Sequence, residues 1–142
     1  MKFIETTLKG AFVIEPDRTE DERGFFARTF CRREFDAHGL NSNLVQCSVS
    51  FNRKRGTLRG MHYQVAPNAE TKLVRCTRGA IYDVIVDLRP GSRMFCRWFA
   101  VELSADNQRA LYILKVWLTG FKLCKTKRKF SIKCLNSTRR ST

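Results

Sequence analysis

The last 29 residues of this 142-residue chain contain no Asp or Glu, although the first 113 contain 13. Histidine is scarce too. His38 and His62 stand 24 positions apart with no HxH spacing, so a histidine-built metal centre is not indicated. There is no GxGxxG and no Walker loop, which argues against dinucleotide binding and NTP hydrolysis. No run approaches the roughly 20 apolar residues of a membrane span. The opening MKFIETTLKG lacks the apolar stretch of a signal peptide, and the cytoplasm is the expected compartment. Six Cys occur without a CxxC pair and read as scattered free thiols.

What is present describes a folded protein. A hydrophobic content of 43% with eleven Phe, at this length, implies one domain with a real core. The net charge of +14 would ordinarily point to nucleic acid. Its distribution argues otherwise. Residues 1–113 carry 18 Lys and Arg against 13 acids, whereas residues 114–142 carry nine against none. A body at +5 suits an anionic small molecule as well as a polyanion. Neither nucleic acid nor membrane is expected as a partner.

Short strands separated by turn signals fill the body: Phe12–Glu15, Phe25–Cys31, Val45–Asn52, Thr57–Gln64, Lys72–Thr77, Ile81–Leu88 and Met94–Leu103. Arg32–His38 is the one helical segment, with Gly39 as its stop. Arg78-Gly79 reads as a hairpin turn between its flanking strands. The pattern predicts an all-β sandwich or barrel over 1–113. From Leu114 the alternation ceases, and 114–142 is expected to be an aberrant, disordered basic tail.

The chemistry concentrates in Arg55-Gly-Thr-Leu-Arg-Gly-Met-His-Tyr-Gln64 and Lys72-Leu-Val-Arg75. On a regular strand Arg59 and Met61 face one way, Gly60 and His62 the other. A strand His is more often structural than catalytic, but Arg59, Gln64 and Lys72 nearby are costly to bury unless they meet a ligand or each other.

These two segments, with Glu22-Arg-Gly-Phe-Phe26, Gln46-Cys-Ser48 and Gly79-Ala-Ile-Tyr-Asp-Val-Ile-Val-Asp-Leu-Arg89, occur in the order and spacing of the dTDP-4-dehydrorhamnose 3,5-epimerases. The chain resembles that family through residue 113. The resemblance implies a cupin-like jelly-roll β-sandwich, incomplete at the C-terminus, usually a homodimer. It implies cofactor-free epimerisation at C3 and C5 of a dTDP-4-keto-6-deoxy sugar, a step in making dTDP-L-rhamnose. By resemblance His62 is the base and Lys72 holds the ketone or enolate oxygen. Arg23 and Arg59 bind substrate, with Gln46 and Ser48 hydrogen-bonding around it, and no metal is used. Phe25 or Phe26 either lines the pocket or belongs to the core. Asp83 either supports the site by orienting a His or anchoring a positive residue, or forms a plain structural salt bridge. Arg28 and Ser48 depart from the family, which commonly has an acid and an Asn there. The alternative to an active enzyme is a truncated remnant, or a sugar-nucleotide binder without turnover.

The family continues into an AHGF segment, a strand bearing a tyrosine general acid, and a later Asp. None of these is found here as written. A basic extension that touches nucleic acid or anionic lipid is one reading of the tail. A shifted reading frame is the other. Offset by two bases, Trp117 followed by a Leu118 codon beginning CT yields an alanine codon, and the next three offset codons permit His, Gly and Phe. Compatible synonyms then run without a stop through ESLAHGFQTLQDKTEVFYQMSEFYTPEH. A single-base deletion near codon 114 is the expectation that follows.

Overall fold

The structure, a computed structural model, describes residues 1–115, 117–125 and 129–137, with side chains as far as Cys124. Strands β1 (Lys2–Glu5), β2 (Phe12–Glu15), β3 (Arg18–Asp21) and β4 (Gly24–Ala27) precede helix α1 (Arg32–Ala37). Then come β5 (Gln46–Asn52), β6 (Leu58–His62), β7 (Glu70–Cys76), β8 (Ala80–Asp87), β9 (Trp98–Ser104) and β10 (Ala110–Ile113). Two more strands follow Ile113: β11 (Trp117–Lys125) and β12 (Lys129–Ser137).

Six strands form one sheet in the order β1-β2-β10-β7-β12-β5, and four form a second in the order β6-β11-β8-β9. The pairings are antiparallel. Strands β3 and β4 make a separate hairpin. Val74, Ile81, Ile85, Leu103, Leu111 and Trp117 belong to the larger apolar cluster, which stands between the two sheets as alternation requires. A second cluster joins Phe35 of α1 to Leu73 and Tyr112, so the helix covers the opposite face of the six-stranded sheet. Burying Phe35 contributes about 2–3 kcal/mol. Strand β7 is therefore covered on both sides, and Thr71, Lys72, Leu73 and Val74 are all buried. Among the described residues no helix is long and apolar enough to cross a membrane.

Two expectations need correction. Arg78-Gly79 is not a hairpin turn. β7 pairs with β10 and β12, whereas β8 pairs with β9 and β11, so this turn is a corner carrying the chain from one sheet to the other. Both strands bury inward faces, and crossing the sandwich places those faces against each other. The second concerns the tail. Ladder pairing uses backbone N–H and C=O groups, and a segment without proline supplies them whatever its side chains. Over 117–125 and 129–137 the chain accordingly lies in the sheets rather than in disorder. The remainder of the tail lies outside the described residues.

Candidate active site

A cavity of about 200 Å³ opens between the sheets, lined by Ser50, Arg59, His62, Val74, Asp83, Thr119, Gly120 and Phe121. Five of these come from the segments singled out by sequence or lie one alternation step from them.

The β6 side depends on an irregularity. Thr119 pairs with His62 and Phe121 with Arg59, so three steps along β6 match two along β11. The extra residue is a β-bulge, and it reverses the alternation that would otherwise separate the two side chains. Arg59 and His62 thus both line the cavity, contrary to the opposite faces a regular strand predicts. Gly60 makes the bulge sterically feasible. Its φ is +102°, and a Cβ there would lie 2.7 Å from Gly120 Cα and 2.8 Å from the Thr119 carbonyl oxygen.

Asp83 reaches the cavity from β8 and is 1% exposed. It accepts a long hydrogen bond from the Thr119 hydroxyl, 3.5 Å to Oδ1. Its ladder partner Phe121 is also the partner of Arg59, which places Asp83 and Arg59 in one row, about 10 Å apart across β11.

The opposite wall comes from the six-stranded sheet. Gln46, Ser48, Ser50 and Asn52 alternate along one face of β5, and burial deepens from the exposed Gln46 to Asn52. Leu135 of β12 pairs with both Gln46 and Lys72, and Lys133 with both Ser48 and Val74. Gln46 and Lys72 therefore share a row across β12, and Lys72 shares the Val74 face that lines the cavity. Lys72 is 4% exposed. A buried ammonium is a strong electrostatic element because little water screens it.

Arg23 is not brought to this cavity. It sits at the β3–β4 turn, 85% exposed, ion-paired to Asp21 at 2.6 Å, and it lines a separate open depression with Phe25 and Phe26. Phe25 and Phe26 are exposed and belong to neither core cluster, and the Arg18 guanidinium stacks 4.7 Å from the Phe25 centroid. The three belong to the separate β3–β4 hairpin and line a different depression from His62. Arg28 lies 3.7 Å from Glu34, on another surface. His38 stacks on Phe3 at the end of α1, 3.9 Å between centroids.

Sequence reading missed Ser50, Asn52 and Thr119. The first two were findable, because they continue the two-residue period of Gln46 and Ser48. Asn52 is 3% exposed, and its Oδ1 accepts a hydrogen bond from Arg59 Nε. Among the described residues no cluster of His, Cys, Asp and Glu has the makings of a metal site. The cavity instead sets an imidazole, a guanidinium and a buried carboxylate at one end of a face that also carries an ammonium.

Comparison with known proteins gives the family. The family model described as dTDP-4-dehydrorhamnose 3,5-epimerase matches residues 5–141, continuing through the segment after Ile113. The epimerase of that name from Shigella flexneri is 40% identical over 137 residues, covering 96% of this chain and 75% of the relative. The one from Methanothermobacter thermautotrophicus is 43% identical over 120 residues, covering 84% of this chain and 64% of the relative. The crystal structure of the Bacillus anthracis epimerase with TDP and PPi bound superposes with a TM-score of 0.92 at 37% identity, covering 99% of this chain and 79% of that one.

Proposed function

Because the chain belongs to the dTDP-4-dehydrorhamnose 3,5-epimerase family, we propose that its cavity takes a dTDP-4-keto-6-deoxy sugar and that His62 removes the proton beside the ketone. The observation that carries this reading is the bulge that turns both His62 and Arg59 into one cavity.

The C3 or C5 hydrogen is acidic only when the enolate formed at C4 is stabilised as it appears. His62 accepts the proton, the C–H electron pair moves into the C3–C4 or C4–C5 bond, and the ketone oxygen gains the charge. Lys72, an ammonium in a dry part of the sandwich, is the group that meets this charge. Arg59 presents a forked donor to the diphosphate, with Gln46 and Ser48 along the adjoining strand. No cofactor takes part in this chemistry.

Inversion also requires proton delivery from the opposite face. None of the eight cavity-lining residues is a tyrosine, and the family's acid-bearing strand belongs to the segment that differs here. The chain as written therefore exchanges protons without completing inversion, and turnover falls on the order of 100-fold or more. The tail results from loss of one base near codon 114. Support comes from an offset frame that can be written without a stop and from Gly120-Phe121, which stand where that frame permits Gly-Phe. Resequencing codons 110–120 tests this, and an offset frame containing stops would sink it.

A homodimer in the cytoplasm completes the reading. Phe26 is 78% exposed and Trp98 63% exposed, and Arg23, on the β3–β4 hairpin, lines a depression separate from the cavity that holds His62. A second copy is the arrangement that covers this hairpin and gives Arg23 a substrate to bind. Sedimentation of the frame-restored protein as a monomer would count against it.

A further inference from the structure

Arg59 and Asn52 belong to different sheets: β5 ends at Asn52 in the six-stranded sheet, and β6 carries Arg59 in the four-stranded one. Their hydrogen bond, Nε to Oδ1, bridges the corner where the two sheets meet. Arg59 Nη2 also donates to the Phe51 carbonyl oxygen at 3.3 Å. Two of the five guanidinium N–H donors are thus used by consecutive residues of β5, and the side chain is fixed along the cavity wall.

We infer that Asn52 is a positioning residue, which orients Arg59 toward a diphosphate without neutralising it. This rests on the reading that Arg59 binds that group. Arginine loses much side-chain freedom on binding, and prior orientation removes part of that cost. An amide suits the task better than a carboxylate. Its oxygen is a neutral acceptor, so the guanidinium keeps its full charge for the ligand, whereas Asp would compete with the phosphates. Burial of Asn52 at 3% exposure holds the amide in place and shields the bond from water.

The test is calorimetric titration of the full chain with thymidine diphosphate at fixed salt. Asn52→Ala weakens binding roughly tenfold, in line with loss of a hydrogen bond to a charged group. In an Arg59→Ala background the same substitution has no further effect, which a merely structural asparagine would not show. Asn52→Asp preserves shape and acceptor but pairs the charge, so affinity falls and the salt dependence of binding becomes shallower. Should Asn52→Ala fail to fold, Asn52→Asp decides: undiminished affinity overturns the positioning role. So does Asn52→Ala binding within twofold of the unsubstituted chain, or an equal loss in the Arg59→Ala background. Absence of any binding by the unsubstituted chain removes the substrate reading and this role together. Binding that ignores Asn52 removes only the role.

Discussion

Thr119 of β11 is the ladder partner of His62 on β6, and among the described residues β11 is the only neighbour β6 has in its sheet. A similar relationship holds at the other wall, where among the described residues β5 with Gln46 and Ser48 is joined to its sheet through β12 alone. Both strands that carry candidate substrate contacts are therefore attached through the segment after Ile113. The part of the chain with the least recognisable sequence holds the site together.

Ending the chain at Ile113 removes both attachments and the buried Trp117 and Leu123. Two strands then lack ladder partners, and the inner faces meet water. The expected outcome is aggregation with no cooperative urea transition. A soluble 113-residue product with a sharp transition would contradict this role for β11 and β12.

Gly60→Ala strains the backbone and collides with Gly120 across the ladder. Loss of about 2–4 kcal/mol of stability follows, read from the shift in urea midpoint. Gly91→Ala is the control. Its φ is also positive, +77°, but a Cβ there meets nothing within 4 Å, so about 1 kcal/mol is the expected cost.

Asp87 supplies a pH dependence. Burial pushes its carboxyl up, but hydrogen bonds from the Arg89 side chain, the Arg89 backbone N–H and Ser92 outweigh burial and hold the pKa at about 2. Against an ordinary value of 3.8, the folded state binds the ionised form more tightly. This contribution, on the order of 2 kcal/mol, is full above about pH 4 and is lost as the pH falls toward 2. Acid titration of stability should show it, and Asp87→Asn should flatten that limb. An unchanged limb in Asp87→Asn would assign the acid sensitivity elsewhere.

The strands of the body were legible because alternation and turn residues are local signals. β2 matches its expected bounds, Phe12–Glu15, and β5, β6, β7 and β8 lie within two residues of theirs. Pairing was less legible, since a turn such as Arg78-Gly79 looks alike whether its strands share a sheet or cross between two. At the site, His62, Arg59 and Asp83 line one cavity, but the bulge that turns the first two into it depends on β11, far along the chain. Arg23 stays outside, on the separate β3–β4 hairpin. The strands after Ile113 were not legible from composition, which is basic and without carboxylates, although Phe130, Ile132 and Cys134 alternate with Lys129, Ser131 and Lys133.

Restoring one base near codon 114 should replace a carboxylate-free segment with one that carries the missing acid. Expression of the frame-restored gene is expected to give a soluble protein with at least roughly 100-fold more epimerase turnover than the chain as written, measured by coupled reduction of the product. Equal turnover from both would contradict the frame assignment.

The most direct measurement is incorporation of solvent deuterium into dTDP-4-keto-6-deoxyglucose. The account predicts label beside the ketone with the unsubstituted chain, loss of at least about 100-fold in His62→Asn, and a comparable loss in Lys72→Met. Exchange that persists undiminished in His62→Asn, or its absence from the unsubstituted and frame-restored proteins alike, would contradict it.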